Sequence, residues 1–216
     1  GLTDKDINSI SKIDGISNVY PTYSKEVLTS IGTNQLVLKV HGLPEKSNSD
    51  YINKIKITEG RYPKSEGECL IEDSKDIPLG STIKIYGDNN EDLSTTLKHN
   101  EYKVVGKVET PYYIAKAKGS SNIGSGTLNS FIMVLNNEFK LTNYTESYIT
   151  VDGAKDLNSY SKEYEDKVQN IEDKLVDLGK DRASLRYKEI INDANKKLSE
   201  GKSKLQKEKT NAYNEL

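Results

Sequence analysis

Residues able to carry acid–base, nucleophilic or metal chemistry are few in this chain of 216 residues. Cys69 is the single cysteine, which excludes an internal disulfide and a thiolate metal cluster. It lies in the apolar run ECLIED, where a buried small side chain is favoured over a nucleophile because no neighbour would lower its pKa. His41 and His99 are far apart and no HExxH motif occurs. We expect structural or surface roles for both histidines, and no catalytic residue, metal or cofactor.

A glycine-rich stretch, GSSNIGSGT, has the glycine separation of a phosphate-binding loop at Gly119 and Gly124. Ser125 stands where such a loop requires lysine, and no helix is predicted to follow. The pattern therefore predicts a flexible or partner-contacting loop. The residues that we single out as candidate partner contacts are Tyr112, Tyr113, Gly119, Gly124 and Gly126.

A second stretch, GDNNEDL, places Asp88, Asn90 and Asp92 at alternate positions, as a calcium-binding loop does. Leu93 occupies the position where that loop needs glycine, and His99 replaces its closing glutamate. We expect a polar turn between strands. Carboxylates are plentiful elsewhere in the chain, but no pair of them can be placed across a cleft from the sequence.

Composition narrows the function classes further. The chain is 34% hydrophobic and 30% charged, with a formal net charge of -2. A near-neutral chain has no general attraction to nucleic acid or anionic lipid, so nucleic acid is not an expected partner. No apolar run reaches the ~18 residues of a membrane span.

The chain changes character near residue 160. All five prolines precede that point, whereas 161–216 lacks proline and is highly charged, which is typical of a long solvated helix. We therefore expect a domain over 1–160 and a helix over 161–216. One continuous helix, about 80 Å long at ~1.5 Å per residue, is favoured over a break at Gly179, where Asp181 would cap a second helix.

Apolar residues on this predicted helix recur at alternating steps of three and four, the spacing of a coiled coil. A six-residue step joins two such seams, which distorts a supercoil without ending it. We expect an antiparallel return helix in the natural protein; a solvated single helix or a homodimer is the alternative. The seams consist of Tyr164, Val168, Ile171, Leu175, Leu178, Arg182 and Leu185, and of Ile191, Ala194, Leu198, Gly201, Leu205, Glu208 and Ala212.

The first 160 residues predict an α+β fold. A helix is expected over 3–14, with Thr3 as its N-cap, Asp6 at the third position and Gly15 as terminator. Runs rich in Ile, Val and Tyr, bounded by Gly, Pro, Asn or Asp, predict the strands. These runs are SNVYPTYSKEVLTSI (interrupted near Pro21), NQLVLKVHG, KIKITEGRYP, GECLIED, STIKIYG, EYKVVGKVETPYYI, SFIMVL and TESYITVDG, the last feeding directly into the long helix.

The order of these pieces resembles the extracytoplasmic domain of MacB/FtsX-type ABC transporter permeases. An N-terminal helix, paired strands, a Gly-Arg-Tyr-Pro segment, a Leu-Gly turn and a Val-rich strand follow one another as in that family, over about 150 residues. The helix that follows is similar to the first arm of the coiled-coil hairpin inserted in large Gram-positive permeases. The matching segments are 15–21, 60–63, 70–72, 79–83 and 102–108.

The resemblance implies a two-part domain. Residues 1–42 and 145–178 would form a Porter-like α/β subdomain, and 43–144 an inserted, strand-rich subdomain. It also implies membrane spans before Gly1 and beyond Leu216, a location on the extracellular side of the cell membrane, and a separate cytoplasmic ATP-binding subunit that this chain does not contact. MacB itself lacks the long hairpin, so its substrate and partners do not carry over.

Three functional hypotheses follow. The leading one is a non-catalytic extracellular domain that transmits ATP-driven motion to a cell-wall or peptide partner, or gates export of a peptide or hydrophobic substrate. The alternative is a surface adhesin-like binding module on a coiled-coil stalk, which predicts a stable parallel dimer. The third is a cell-wall hydrolase with carboxylates as acid and base.

Overall fold

The structure, a computed structural model, describes residues 1–115 and 117–214. It divides into two compact units, Gly1–Asp152 and the chain from Gly153 onward. The first unit contains one short helix and all nine strands, and the second consists mainly of one long helix. The predicted α+β class is confirmed. Among the described residues, no helix is both long and apolar enough to cross a membrane.

The elements of the first unit follow the predicted order, and each predicted strand is found. They are α1 (Asp4–Ile10), β1 (Ile16–Thr22), β2 (Ser24–Ile31), β3 (Asn34–Leu43), β4 (Lys56–Gly60), β5 (Glu68–Glu72), β6 (Thr82–Tyr86), β7 (Glu101–Glu109), β8 (Ser130–Leu135) and β9 (Glu146–Val151). Short 3-10 turns lie at Asp88–Asn90, Leu93–Thr95, Asn136–Glu138 and Ala154–Asp156.

Helix α1 begins where its sequence predicts. The Thr3 hydroxyl accepts a hydrogen bond from the Asp6 amide, and the Asp6 carboxylate accepts one from the Thr3 amide, so the capping box is complete. The helix ends at Ile10, earlier than the predicted residue 14. Bonds between residues three apart replace the helical pattern there, and Gly15 has a φ of 96° that reverses the chain.

Seven strands form one mixed sheet that curls into a barrel. The strand order is β4-β7-β5-β8-β3-β2-β6, and β6 also pairs with β7, which closes a ring of β7, β5, β8, β3, β2 and β6. The amino-terminal half of β7 pairs with β6 and its carboxyl-terminal half with β4. Closure leaves the ring without free edges, which favours a single register.

The barrel interior holds the main hydrophobic core, as the alternation of apolar residues along each strand requires. Members of this core come from every strand of the ring, and Cys69 is among them, buried as predicted. Its core residues are Val27, Leu38, Val40, Cys69, Ile71, Ile83, Ile85, Leu93, Leu97, Tyr102, Val104, Ile132, Val134 and Phe139.

The remaining two strands, β1 and β9, form an antiparallel ribbon of their own. The predicted interruption near Pro21 is confirmed, because β1 ends at Thr22 and β2 begins at Ser24. Strands β2 and β3, in contrast, belong to the barrel together with the strands of 43–144. The division into 1–42 with 145–178 and an insertion over 43–144 stays a prediction.

The second unit contains α2 (Lys162–Asn214), a helix of 53 residues. It starts after a turn at 154–156 and not directly at the end of β9, which corrects that detail of the sequence analysis. The Ser161 hydroxyl caps it by accepting a hydrogen bond from the Tyr164 amide. The helix runs unbroken through Gly179, as predicted over the alternative of a break; residues 215 and 216 lie outside the described residues.

The two predicted seams of α2 differ in exposure. Ile171 is buried, and the other residues of the first seam as far as Arg182 are half-buried, so that seam is the covered face of the helix. From Ile190 to Ala212 every residue is exposed, including Leu198 and Leu205 of the second seam.

Candidate functional site

The outer face of the barrel carries a layer of tyrosines. Leu43, Leu70, Val105, Val108, Phe131 and Met133 form the barrel side of a second apolar cluster, and aromatic rings cover it. We call these rings the tyrosine layer: Tyr20, Tyr51, Tyr62, Tyr112, Tyr113 and Tyr148. Tyr112 stacks on Tyr148 of the β1–β9 ribbon, with ring centroids 4.7 Å apart, and Tyr113 stacks on Phe131 at 5.1 Å. The layer therefore joins the barrel to the ribbon.

A buried histidine lies at the centre of this layer. His41 is 2% exposed and belongs to the outward-facing residues of β3, as does Lys39 two positions earlier. Its Nε2 lies 2.8 Å from the Tyr113 hydroxyl, and its Nδ1 lies 3.5 Å from Oε1 of Glu146, the first residue of β9. Lys39 Nζ lies 3.0 Å from Glu146 Oε2, and the Tyr148 hydroxyl donates to Glu146 Oε1 at 3.2 Å.

Electrostatics fixes the charge states in this network. Burial lowers the pKa of His41 below its ordinary value of 6.5, in spite of Glu146. Burial also raises the pKa of the Glu146 carboxyl, but His41 and the Lys39 ammonium outweigh burial and lower it to about 2. At neutral pH the imidazole is neutral and the carboxylate is charged. Because a carboxylate only accepts, Nδ1 carries the proton, and Nε2 accepts from Tyr113.

The second histidine belongs to a different cluster. Glu138 is 0% exposed and ends the turn after β8. Its carboxylate accepts hydrogen bonds from the Gly67 amide, from the Tyr102 hydroxyl at 3.4 Å, and from His99 Nδ1, which lies 2.9 Å away. His99 itself is 43% exposed at the side chain. This cluster ties the loop before β5 to the turn after β8.

The predicted partner-contact residues separate into two groups. Tyr112 and Tyr113 are half-buried in the tyrosine layer, whereas Gly119, Gly124 and Gly126 lie on an exposed hairpin between β7 and β8. Lys116, within the same predicted loop, lies outside the described residues.

The glycine hairpin is anchored on the barrel. A bridge between Ser120 and Thr127 closes it, and the Ser121 hydroxyl donates to Glu26 of β2 at 2.7 Å. Gly124 has a φ of 54°, which favours glycine, and a Cβ there would lie 2.7 Å from the end of the Leu28 side chain. Strand β8 follows the hairpin, where a phosphate-binding loop would need a helix.

The GDNNEDL stretch forms the expected polar turn. Asn89 and Asn90 adopt positive φ values of 48° and 62°, and the Asp92 carboxylate accepts from the Ser94 amide at 2.9 Å. Within the described part of the chain, no group of three or more His, Cys, Asp or Glu side chains could hold a metal ion.

Sequence reasoning missed both glutamate–histidine contacts. The usable signal was Lys39 and His41 at alternate positions of an otherwise apolar strand, because two polar residues on one face predict a polar group opposite them. That signal does not identify Glu146, which is 107 residues from Lys39 along the chain.

Comparison with known proteins gave matches among solved structures. No family model matches the chain, and no curated protein matches it. The extracellular domain of the noncanonic ABC-type transporter YknZ from Gram-positive bacteria is 17% identical, with a TM-score of 0.42, over 76% of this chain and 80% of that chain. The periplasmic region of MacB from Actinobacillus actinomycetemcomitans is 18% identical, with a TM-score of 0.39, over 84% of this chain and 74% of that chain.

Proposed function

We propose that this chain is the non-catalytic extracellular domain of a MacB/FtsX-type ABC transporter permease. Support comes from the segments that resemble this family, because they lie on successive strands and turns of the first unit. Residues 15–21 include most of β1, 60–63 begin at the last residue of β4, and 70–72 end β5. Residues 79–83 span the turn before β6 and its first two residues, and 102–108 lie within β7. In that turn Gly80 has a φ of 86°, a conformation that glycine adopts without strain.

The observation that carries the proposal is the continuous helix α2. This helix has 53 residues, and its distal part is fully exposed. A helix that served only to cover a hydrophobic core would not extend so far into solvent. Such a helix moves as a stiff element, because its backbone hydrogen bonds resist bending. In the proposed function, a cytoplasmic ATP-binding subunit moves the membrane spans and α2 transmits this motion outward.

The outward contact is proposed for the exposed distal part of α2 and for the glycine hairpin. Leu198 and Leu205 are 57% and 67% exposed, and they would pack against a second helix. A cell-wall component or a peptide is the proposed partner, and gating the export of a peptide or hydrophobic substrate is the proposed outcome.

Cysteine labelling in the complete parent protein tests the location. Cys69, the single cysteine of this chain, is buried, so it should add little background, and the unaltered protein serves as the control. Ser199→Cys introduces a thiol on the exposed distal helix. We expect a membrane-impermeant maleimide to label Ser199→Cys in intact cells more strongly than the unaltered protein; additional labelling only after lysis would contradict the proposal.

A second measurement separates the proposal from a surface adhesin, which would also be labelled. The complete protein purified from membranes should carry vanadate-sensitive ATP hydrolysis, through its ATP-binding subunit. An adhesin would lack this activity and would sediment as a parallel dimer through α2. Such a dimer without ATP hydrolysis would favour the adhesin alternative.

A further inference from the structure

An open cavity of about 620 Å³ lies on the barrel unit beside the residues that follow β7. This volume is in the range of small-molecule and peptide-end sites. The large apolar side chains of its lining are Val108, Tyr113, Ile114 and Phe131. The Ile114 side chain is 96% exposed, although burial of such a side chain is favourable.

The polar part of this lining contains a nearly buried ion pair. Lys118 Nζ lies 2.7 Å from Glu72 Oε1, and the two side chains are 9% and 13% exposed. The hydroxyls of Ser74 and Ser130 also donate to Glu72, each at 2.6 Å. Burial raises the pKa of Glu72, but the bonds from Lys118, Ser130 and Ser74 outweigh burial and lower it. Glu72 is therefore a charged group with its acceptor capacity largely used.

The other two carboxylates at the cavity are also engaged. Asp73 accepts from the Thr58 hydroxyl at 2.5 Å, and Glu109 pairs with Lys56 at 3.0 Å. Carboxylates therefore offer a ligand little free capacity at this site.

The donors, in contrast, keep free capacity. Among the described residues, the Lys118 ammonium contacts Glu72. This contact uses one of the three N–H groups of Lys118 and leaves two for a ligand. Lys75 has no side-chain partner within that part of the chain. Asn129 accepts from the Val37 amide through Oδ1, so its NH₂ group remains available. The cavity lining thus combines free donors, two of them cationic, with apolar side chains.

We propose that this cavity binds a carboxylate joined to an apolar group, such as the carboxyl-terminal residue of a peptide or an aliphatic acid. The carboxylate would accept charge-assisted bonds from Lys118 and the amide of Asn129. The apolar group would cover Tyr113 and the exposed Ile114. The site lies within this unit and does not depend on the transporter function.

Binding of matched probes to the whole chain tests the proposal. We expect acetyl-Ala-Ala-Phe with a free carboxylate to bind with a dissociation constant below ~1 mM in calorimetry at pH 7, and its carboxyl-terminal amide to bind about tenfold more weakly or worse. Octanoate distinguishes the two candidate ligands. If octanoate binds more tightly than the peptide, the ligand is an aliphatic acid; if it binds more weakly, the ligand is the carboxyl-terminal end of a peptide. Equal binding of acid and amide, or no binding of either acid, would overturn the proposal.

Two variants locate the binding. The double variant Lys118→Met with Glu72→Gln removes both charges of the pair, so that no unpaired buried charge remains. It should weaken binding of the free acid about tenfold and leave the amide unchanged. Ile114→Asp should weaken the acid without affecting folding, because this side chain is exposed; Tyr160→Asp, 98% exposed on the other unit, is its matched control. Unchanged affinity in both cavity variants would overturn the proposed location.

Discussion

Each of the two histidines of this protein contacts a glutamate. In one pair the histidine is the more buried member, and in the other the glutamate is. On the outer face of the barrel the histidine is buried, and Glu146 keeps partial exposure and the Lys39 ammonium. In the other pair Glu138 is fully buried and His99 is 43% exposed. The difference shows which partner each site depends on. The first needs its neutral imidazole, and the second needs its carboxylate as a shared acceptor for buried donors.

Loss of the Glu138 carboxylate should have the largest effect on stability. Glu138→Ala removes the acceptor for the Gly67 amide and the Tyr102 hydroxyl, and it leaves a void at a site without solvent access. We expect a loss of about 3 kcal/mol in the free energy of unfolding. Urea denaturation followed by far-ultraviolet circular dichroism measures it.

The matched control is Glu138→Gln, which keeps the volume and one acceptor oxygen. It should lose clearly less stability than Glu138→Ala. If both variants were as stable as the unaltered protein, Glu138 would not be the shared acceptor, and the contrast between the two pairs would disappear.

Acidification should destabilise the protein through the His41–Glu146 pair. The folded-state pKa values of His41 and Glu146 are both lowered, so the stability that each contributes is present at neutral pH and is lost as the pH falls. The loss through His41 begins below its ordinary pKa of 6.5. The loss through Glu146 follows between its ordinary value of 4.5 and about 2. Urea midpoints measured between pH 7.5 and 4.5 report the first part.

His41→Gln should cost ~1.5 kcal/mol at pH 7 and flatten the pH dependence between pH 7 and 5. His99→Gln is its matched control, because it removes the other histidine and leaves His41 intact. A pH profile that is unchanged by His41→Gln would assign the acid sensitivity to other groups.

The strands and the long helix were predictable because their signals are local. Alternating apolar residues in STIKIYG and SFIMVL, bounded by turn formers, are found as β6 and β8. The capping box at Thr3 and the proline-free tail of 161–216 also depend on neighbouring residues only. The predicted polar turn of GDNNEDL follows from asparagines that tolerate positive φ.

Long-range pairings were not predictable by the same means. Closure of the barrel requires β6 to pair with β7. The ion pair at the cavity joins Glu72, which precedes β7 in the chain, to Lys118, which follows it. One sequence does not reveal which of many lysines meets which glutamate. The exposure of Ile114 was not predictable either, because an isoleucine beside two tyrosines is typical of a hydrophobic core.

Removal of the Tyr113 hydroxyl should have a smaller effect on the first pair. Tyr113→Phe keeps the ring that stacks on Phe131 and removes the hydrogen bond to His41 Nε2. We expect a loss of about 1 kcal/mol, the usual contribution of one buried hydrogen bond. A double-mutant cycle with His41→Gln checks the assignment. The two losses should be less than additive, because both variants remove the same bond; full additivity would place the contribution of the hydroxyl elsewhere.

The smallest effect is expected for His99→Gln in the second pair. Solvent reaches His99, and Glu138 keeps its bonds from the Gly67 amide and the Tyr102 hydroxyl when the imidazole is lost. We expect a loss of ~0.5 kcal/mol or less at pH 7, since water replaces the missing donor. Urea denaturation of His99→Gln beside His41→Gln measures the contrast directly. Equal losses of stability at His99 and His41 would contradict this prediction. The exposed imidazole would then contribute as much to the free energy of unfolding as the buried one, and burial would not decide the roles of the two pairs.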